Sequence, residues 1–161
     1  MPFDYFLRID GIAGESTDAK HKGEIAVQTF MWGETQSGSV LGGGGGGAGK
    51  LNAGPLIVTA RASKASPLLL LACASGQHIK SAVLSARRAG AGKAQIDFLT
   101  IALTDVLVTS FEVNATTDNG PVDEVSLAFA QIVVDYREQN ADGSPGAVTH
   151  AGWDVKANKK L

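Results

Sequence analysis

A mainly β fold, a small antiparallel β-barrel of two sheets with one flanking α-helix, is what this 161-residue sequence predicts. Three observations predict it. Seven segments are rich in Val, Ile, Leu, Thr and aromatic residues, the side chains that fit a pleated, half-buried surface. Clusters of Gly, Asn, Asp and Pro fall between them, as in Gly90-Ala-Gly92 and Thr117-Asp-Asn-Gly-Pro121, and mark turns. Only one stretch carries matched helix start and stop signals. The length suits one domain spanning residues 1–161, with enough chain to bury a core.

In chain order the expected strands are Phe3 to Asp10, Glu24 to Trp32, Leu56 to Arg61, Ile79 to Arg87, Gln95 to Asp105, Val106 to Asn114 and Val125 to Tyr136. In the second, alternation sends Phe30 and Trp32 into the core together with Gln28, and turns Thr29 and Met31 outward. The helix lies between the third and fourth strands. Ser66 can cap it, Pro67 suits its first position, Leu68 to Ala74 are mostly good helix formers and Gly76 can end it. Leu68, Leu71 and Ala72 lie on one side, while Leu69, Leu70 and Cys73 spread around the rest. A single packing face does not account for all four leucines. Either a second subunit covers some of them, or the helix is sunk deeply against the sheet. The last strand raises the same question. Period-2 alternation puts Val125, Leu127, Phe129 and Val133 on one face and Ala128, Ala130, Ile132 and Val134 on the other. Both faces are apolar, so the second needs cover from the helix, the opposing sheet or a neighbouring chain. Leu69, Leu70, Ile132 and Val134 are the subunit-interface candidates.

The tract Leu41 to Asn52, LGGGGGGAGKLN, places Gly44 and Gly49-Lys50 at the spacing of a phosphate-cradling loop. Such a loop needs Ser or Thr after the lysine to hold magnesium, and Leu51 stands there. It must also open a helix, yet Asn-Ala-Gly-Pro55 follows. A long glycine loop is the better reading. It loses more backbone entropy on ordering than other sequence and has no side chains to offset that loss, so it needs a partner to hold it.

Ser16, Asp18 and His21 stand close together in GESTDAKHKGEI, Gly14 to Ile25. Triad members usually converge from separate elements, and no G-x-S-x-G elbow occurs in the chain. The expectation is a structural loop whose Ser and Asp bond backbone N–H groups. His21, His78 and His150 lack metal-ligand spacing, and Asp123-Glu124 reads as solvated charge at a strand entrance. No general acid and base pair is evident, and no cofactor or metal is expected. Net charge is −2 with Lys and Arg scattered, which argues against nucleic acid and anionic membranes as partners. Asp4, Arg8 and Asp10 interrupt the opening segment, so neither a secretory signal nor membrane insertion is expected. Cys73 is the lone cysteine, excludes an internal disulfide, and reads as a small apolar residue.

Several segments together resemble the haemolysin-coregulated protein (Hcp) family of type VI secretion systems. They are Asp4-Tyr-Phe-Leu-Arg-Ile9, Gly14-Glu-Ser16 with Asp18, His21 and Glu24-Ile25, Phe30-Met-Trp32-Gly33, the glycine loop ending Gly49-Lys50, and Ser66-Pro67 with Cys73 and Gly76. Val125-Ser-Leu-Ala-Phe129, Tyr136 and Gly152-Trp-Asp154 complete the series in family order. The chain departs from many relatives at Pro55 and near Ser63, where acidic residues are common, and at Phe30, where tryptophan is. The resemblance implies a non-enzymatic tube protein: a homo-hexameric ring that stacks with others, is capped by a spike protein, is propelled by a contractile sheath and holds effector proteins in its lumen. It implies synthesis in the bacterial cytoplasm and export through the type VI system without a signal peptide. In the family's ring geometry the outward side of Thr29 and Met31 lines the bore. The stretch Gly42, Gly43, Gly44, Gly45, Gly46, Gly47, with Lys50, becomes the candidate ring-stacking loop. A small-ligand-binding β-barrel is the competing expectation.

Overall fold

A computed structural model of the chain describes residues 3–38, 49–88 and 95–161. The elements are β1 (Phe3–Ile9), β2 (Ile25–Val27), β3 (Thr29–Met31), β4 (Glu34–Gln36), β5 (Leu51–Ala53), β6 (Leu56–Arg61), α1 (Ala65–Ser75), β7 (His78–Arg88), β8 (Asp97–Thr116), β9 (Gly120–Gln139), β10 (Pro145–Asp154) and β11 (Lys159–Lys160). Among the described residues the fold is mainly β with one helix, and every strand pairing is antiparallel. The main sheet runs β11-β10-β9-β8-β7-β1-β2, with β6 joining β9 and β3 joining β6. β4 and β5 form a separate two-stranded ladder.

The strands expected at Gln95 to Asp105 and Val106 to Asn114 are one 20-residue strand, β8. Asp105 sits at their expected junction with φ of 54°. Asp is one of the few side chains that tolerates this left-handed backbone, and the strand continues through it with its inside and outside exchanged. Ile101 and Leu103 are buried before it, Val106 and Val108 after it. A bulge between Val108 and Ser110 shifts the register again. The facing strand follows. β9 pairs with β6 over Val122 to Leu127, then with β10 from Gln131 onward. Its buried set changes accordingly from Val125 and Leu127 to Ile132. The strict alternation expected from Val125 to Val134 therefore holds only to Phe129. Phe129 and Val134, expected on opposite faces, both pack against the same core.

A similar exchange corrects the second strand. Ile25 and Val27 are buried, Gln28 is exposed, and Phe30 packs inward again. Gln28 does not join Phe30 and Trp32, because its N–H turns to the Thr59 carbonyl at 2.8 Å where the chain passes from β1 to β6. Phe30 meets Tyr5 edge-on at 5.1 Å, and the Trp32 indole N–H donates to the Gly54 carbonyl at 2.9 Å.

The helix begins two residues earlier than a Ser66 cap would give. Lys64 is its N-cap, and Ser66 lies inside the first turn, where its hydroxyl accepts the Ser63 N–H at 2.9 Å and donates to the Asp123 carboxylate. Gly76 ends it at φ 64°, as expected of a left-handed cap. The buried stripe is Ala65, Leu69 and Ala72. Two alanines let the helix approach β8 closely, and one leucine fills the remaining space, which leaves Leu68, Leu70 and Leu71 43%, 55% and 57% exposed. The centre of the core is made by Leu7, Leu56, Val58, Leu84, Leu103, Val106 and Leu127.

Candidate functional site

The loop joining β1 to β2 carries the most chemistry-bearing side chains, and its geometry decides what they do. Asp18 faces Arg87 of β7: Nη1 donates at 2.9 Å and Nη2 makes a second, shorter bond to the other carboxylate oxygen. Arg87 also reaches Asp4 at 3.4 Å, and its guanidinium lies 4.9 Å from the Phe6 ring centre. The bidentate bond and charge of Arg87 hold Asp18 down at about 2, and Asp18 in turn raises Arg87. His21 is buried, stacks on Phe6 at 4.3 Å, and presents Nδ1 to Glu24 at 2.7 Å and Nε2 to Asp97 at 3.0 Å. Ser16 Oγ accepts the Asp18 N–H at 3.3 Å. Serine and imidazole do not meet, so no nucleophile is activated. The three residues form a structural clasp, as the sequence reading expected.

The other histidines are solvent-facing and each pairs with one carboxylate, His78 with Asp105 at 2.8 Å and His150 with Asp135 at 2.5 Å. No group of three or more ligating side chains fit to hold a metal occurs among the described residues. Asp123 corrects the expectation of solvated charge. It is 2% exposed, bonded to Ser66, with its second oxygen unpartnered among the described residues. Glu124 is exposed as expected and lies opposite Glu112.

Thr29 and Met31 face solvent, Met31 at 63% exposure, and Thr29 shares a hydrogen bond with Thr59 at 2.6 Å. Directly opposite residues share a face, so Thr29, Thr59, Glu124 and Glu112 form one row across four strands. Lys50 is exposed and leads into β5 rather than a helix. Its N–H donates to Ser37 Oγ at 3.0 Å, extending the β4–β5 ladder. That is not the strand-to-helix setting of a phosphate loop. Gly42 to Gly47 lie outside the described residues. Of the interface candidates, Leu69 and Ile132 are buried in the chain's own core, Val134 packs against it, and Leu70 faces solvent. Cys73 is free and half-buried.

A cavity of about 360 Å³ lies between the β4–β5 ladder and β9–β10, lined among others by Trp32, Leu51, Ile132, Val134, Trp153 and Glu34. Sequence reasoning did not find it, since β4, β5 and β10 were not among the expected strands. Arg87 and Asp97, which organise the clasp, were also missed. Their only sequence signal is charge within otherwise apolar strands.

An antiparallel β fold whose Ser16, Asp18 and His21 are spent on internal ties, and whose one helix among the described residues leaves three leucines in solvent, presents the surface of a protein that acts by contact with other proteins. The chain belongs to the Hcp family: the family model for the type VI secretion system effector Hcp matches residues 6–136. Protein hcp1 of Pseudomonas aeruginosa is 42% identical over 160 residues, covering 98% of each chain. Among solved structures, Hcp1 from Salmonella typhimurium is similar with a TM-score of 0.84 at 34% identity over 100% of both chains. A type VI secretion system effector from Yersinia pestis gives 0.75 at 32% identity, over 94% of this chain and 100% of that one. The protein is thus a structural tube protein of the type VI secretion system, secreted by it, and not an enzyme. Among the described residues no helix is long and apolar enough to cross a membrane.

Proposed function

We propose that six copies of this chain close into a ring, that rings stack into the tube, and that the bore carries effector proteins. The observation that supports it most directly is the surface of α1. Leu68, Leu70 and Leu71 stand in water although burying such side chains is favourable by roughly 25 cal/mol per Å². Ring closure needs a heterologous contact, one patch on each subunit against a different patch on the next, and this helix face is one such patch. Leu70 keeps its role as an interface residue, now joined by Leu68 and Leu71, while Leu69 and Ile132 serve the fold.

We read the sheet as a barrel closed through Ile25 to Met31, since β2 pairs with β1, β3 pairs with β6, and the Gln28 N–H bridges the two halves. Residues 1–161 act as one domain. The row from Thr29 to Glu112, with Met31 beside it, lines the bore. Met31 is soft and adaptable, which suits contact with varied cargo. The β4–β5 ladder carries the Gly42 to Gly47 stretch and Lys50 toward the next ring, with a spike protein at the tip and a contractile sheath outside. A ligand-binding barrel would require an open interior. Leu7, Leu56, Leu84, Leu103 and Leu127 fill it.

The test is the native mass of untagged protein by light scattering at several concentrations. Six copies of a 16.6 kDa chain give about 100 kDa. A concentration-independent monomer overturns the ring. For the bore, Met31→Glu should lower effector retention with the ring intact, and full retention removes Met31 from the lumen. Shortening Gly42 to Gly47 should impair stacking while rings persist.

A further inference from the structure

The chain contains two tryptophans, Trp32 and Trp153, and both line the same cavity of about 360 Å³. Ile132, Val134 and Leu51 add apolar wall. The cavity's one charged lining residue is Glu34, whose exposed carboxylate makes no ion pair among the described residues. The Trp32 ring is held in place by its N–H bond to Gly54 and by Phe129, 6.3 Å away centre to centre.

We propose that this cavity binds a small organic cation, an alkylated ammonium group carried on an apolar body. Indole faces carry the negative part of an aromatic quadrupole and attract cations, quaternary ammonium above all. The cation supplies Glu34 with the counter-charge that no side chain provides among the described residues. An anion is disfavoured by the same carboxylate, and a purely apolar ligand would desolvate it without compensation. The volume falls within the range of small-molecule sites and exceeds what one methylene stem occupies. The site does not rest on the ring or bore assignments, and shares only its β4–β5 wall with the proposed stacking loop.

The test is titration of the purified, assembled protein with benzyltrimethylammonium chloride, followed by tryptophan emission, which here reports on this cavity alone. A saturable change in emission is expected. Choline should bind at least about fivefold more tightly than its neutral isostere 3,3-dimethylbutanol, and Glu34→Gln should weaken benzyltrimethylammonium by about fivefold or more. Glu34 is exposed on a two-stranded ladder of three residue pairs, so the variant should melt with the parent. A linear, unsaturating response overturns the proposal. So does equal binding of the isostere, or an affinity indifferent to Glu34→Gln.

Discussion

Gly14→Ala should open the loop that forms the clasp. A Cβ placed on Gly14 lies 2.5 Å from the Glu24 carbonyl oxygen and 2.7 Å from Glu24 C and Ile25 Cα, all backbone atoms that cannot swing away. Ordinary contact begins at 3.4 Å, so the two segments must part by 3.4 less 2.5, about 0.9 Å. Of the three backbone bonds between them, two are accepted by the Gly23–Glu24 segment, from Gly14 N–H to Gly23 O at 2.8 Å and from Ser16 N–H to Glu24 O at 3.0 Å. The same displacement carries both past hydrogen-bonding distance. Two backbone bonds at about 1 kcal/mol each, plus the strain of overpacking, come to about 2–4 kcal/mol. For a chain of this size that is a fall in Tm of about 5–15 °C. Thermal unfolding by circular dichroism at matched protein concentration measures it, with Gly33→Ala as the control because nothing lies within 4 Å of a Cβ there. A Gly14→Ala protein melting within about 2 °C of the parent would refute the reasoning.

Asp18 is held at about 2 in the folded chain against an ordinary 3.8, so its contribution is present above pH 3.8 and is lost as pH falls toward 2. Asp18→Asn should flatten that part of the acid-unfolding profile, and an unaltered acid limb would show that the Arg87 pair contributes nothing there. Leu69→Ala removes a buried side chain from beneath α1 and should cost about 2–5 kcal/mol in urea unfolding. Leu70→Gln, on the opposite side, should leave monomer stability within about 0.5 kcal/mol while lowering the native mass, and an unchanged ring would free that helix face from the interface. Trp153 buries an indole N–H with no partner among the described residues, so Trp153→Phe should change stability by less than about 1.5 kcal/mol. A larger loss would mean that the N–H is bonded in the native assembly.

Most strand positions were legible because β-branched and aromatic runs bounded by turn residues leave few alternatives, and Gly76 marked the helix end for the same local reason. What was not legible depended on pairing partners. Nothing local tells that Asp105 continues a strand while exchanging its faces, or that Gln28 divides one. Both follow from changes of partner: β9, paired with β8 throughout, passes from β6 to β10, and the β2–β3 segment passes from β1 to β6. β10, whose sequence is PGAVTHAGWD, lacks alternation because its outer side is covered only at Trp153 and Asp154, by β11, and most of its residues face water. In α1, leucines all round conceal a stripe whose close-packed members include two alanines. The loop of Ser16, Asp18 and His21 read correctly as structural, but Arg87 and Asp97 stand 69 and 76 residues away from the side chains they bind.

The pairing of β1 with β7 sets an order of events at synthesis. Phe3 lies opposite Arg88 and Ile9 opposite Ala82, so β1 has no partner on that side until the chain has grown by some seventy to eighty-five residues beyond it. At about 5–20 residues per second the wait is roughly 4 to 17 s. During it, Phe6, Leu7 and Ile9 are the apolar side chains on view, and those same residues later vanish into the core. The long β8–β9 hairpin, by contrast, pairs across a turn of a few residues and can form as soon as it emerges. Nascent chains are therefore most exposed to aggregation and to holding factors along β1. Slowing translation between β1 and β7 should lower the soluble yield more than the same pause placed after β9.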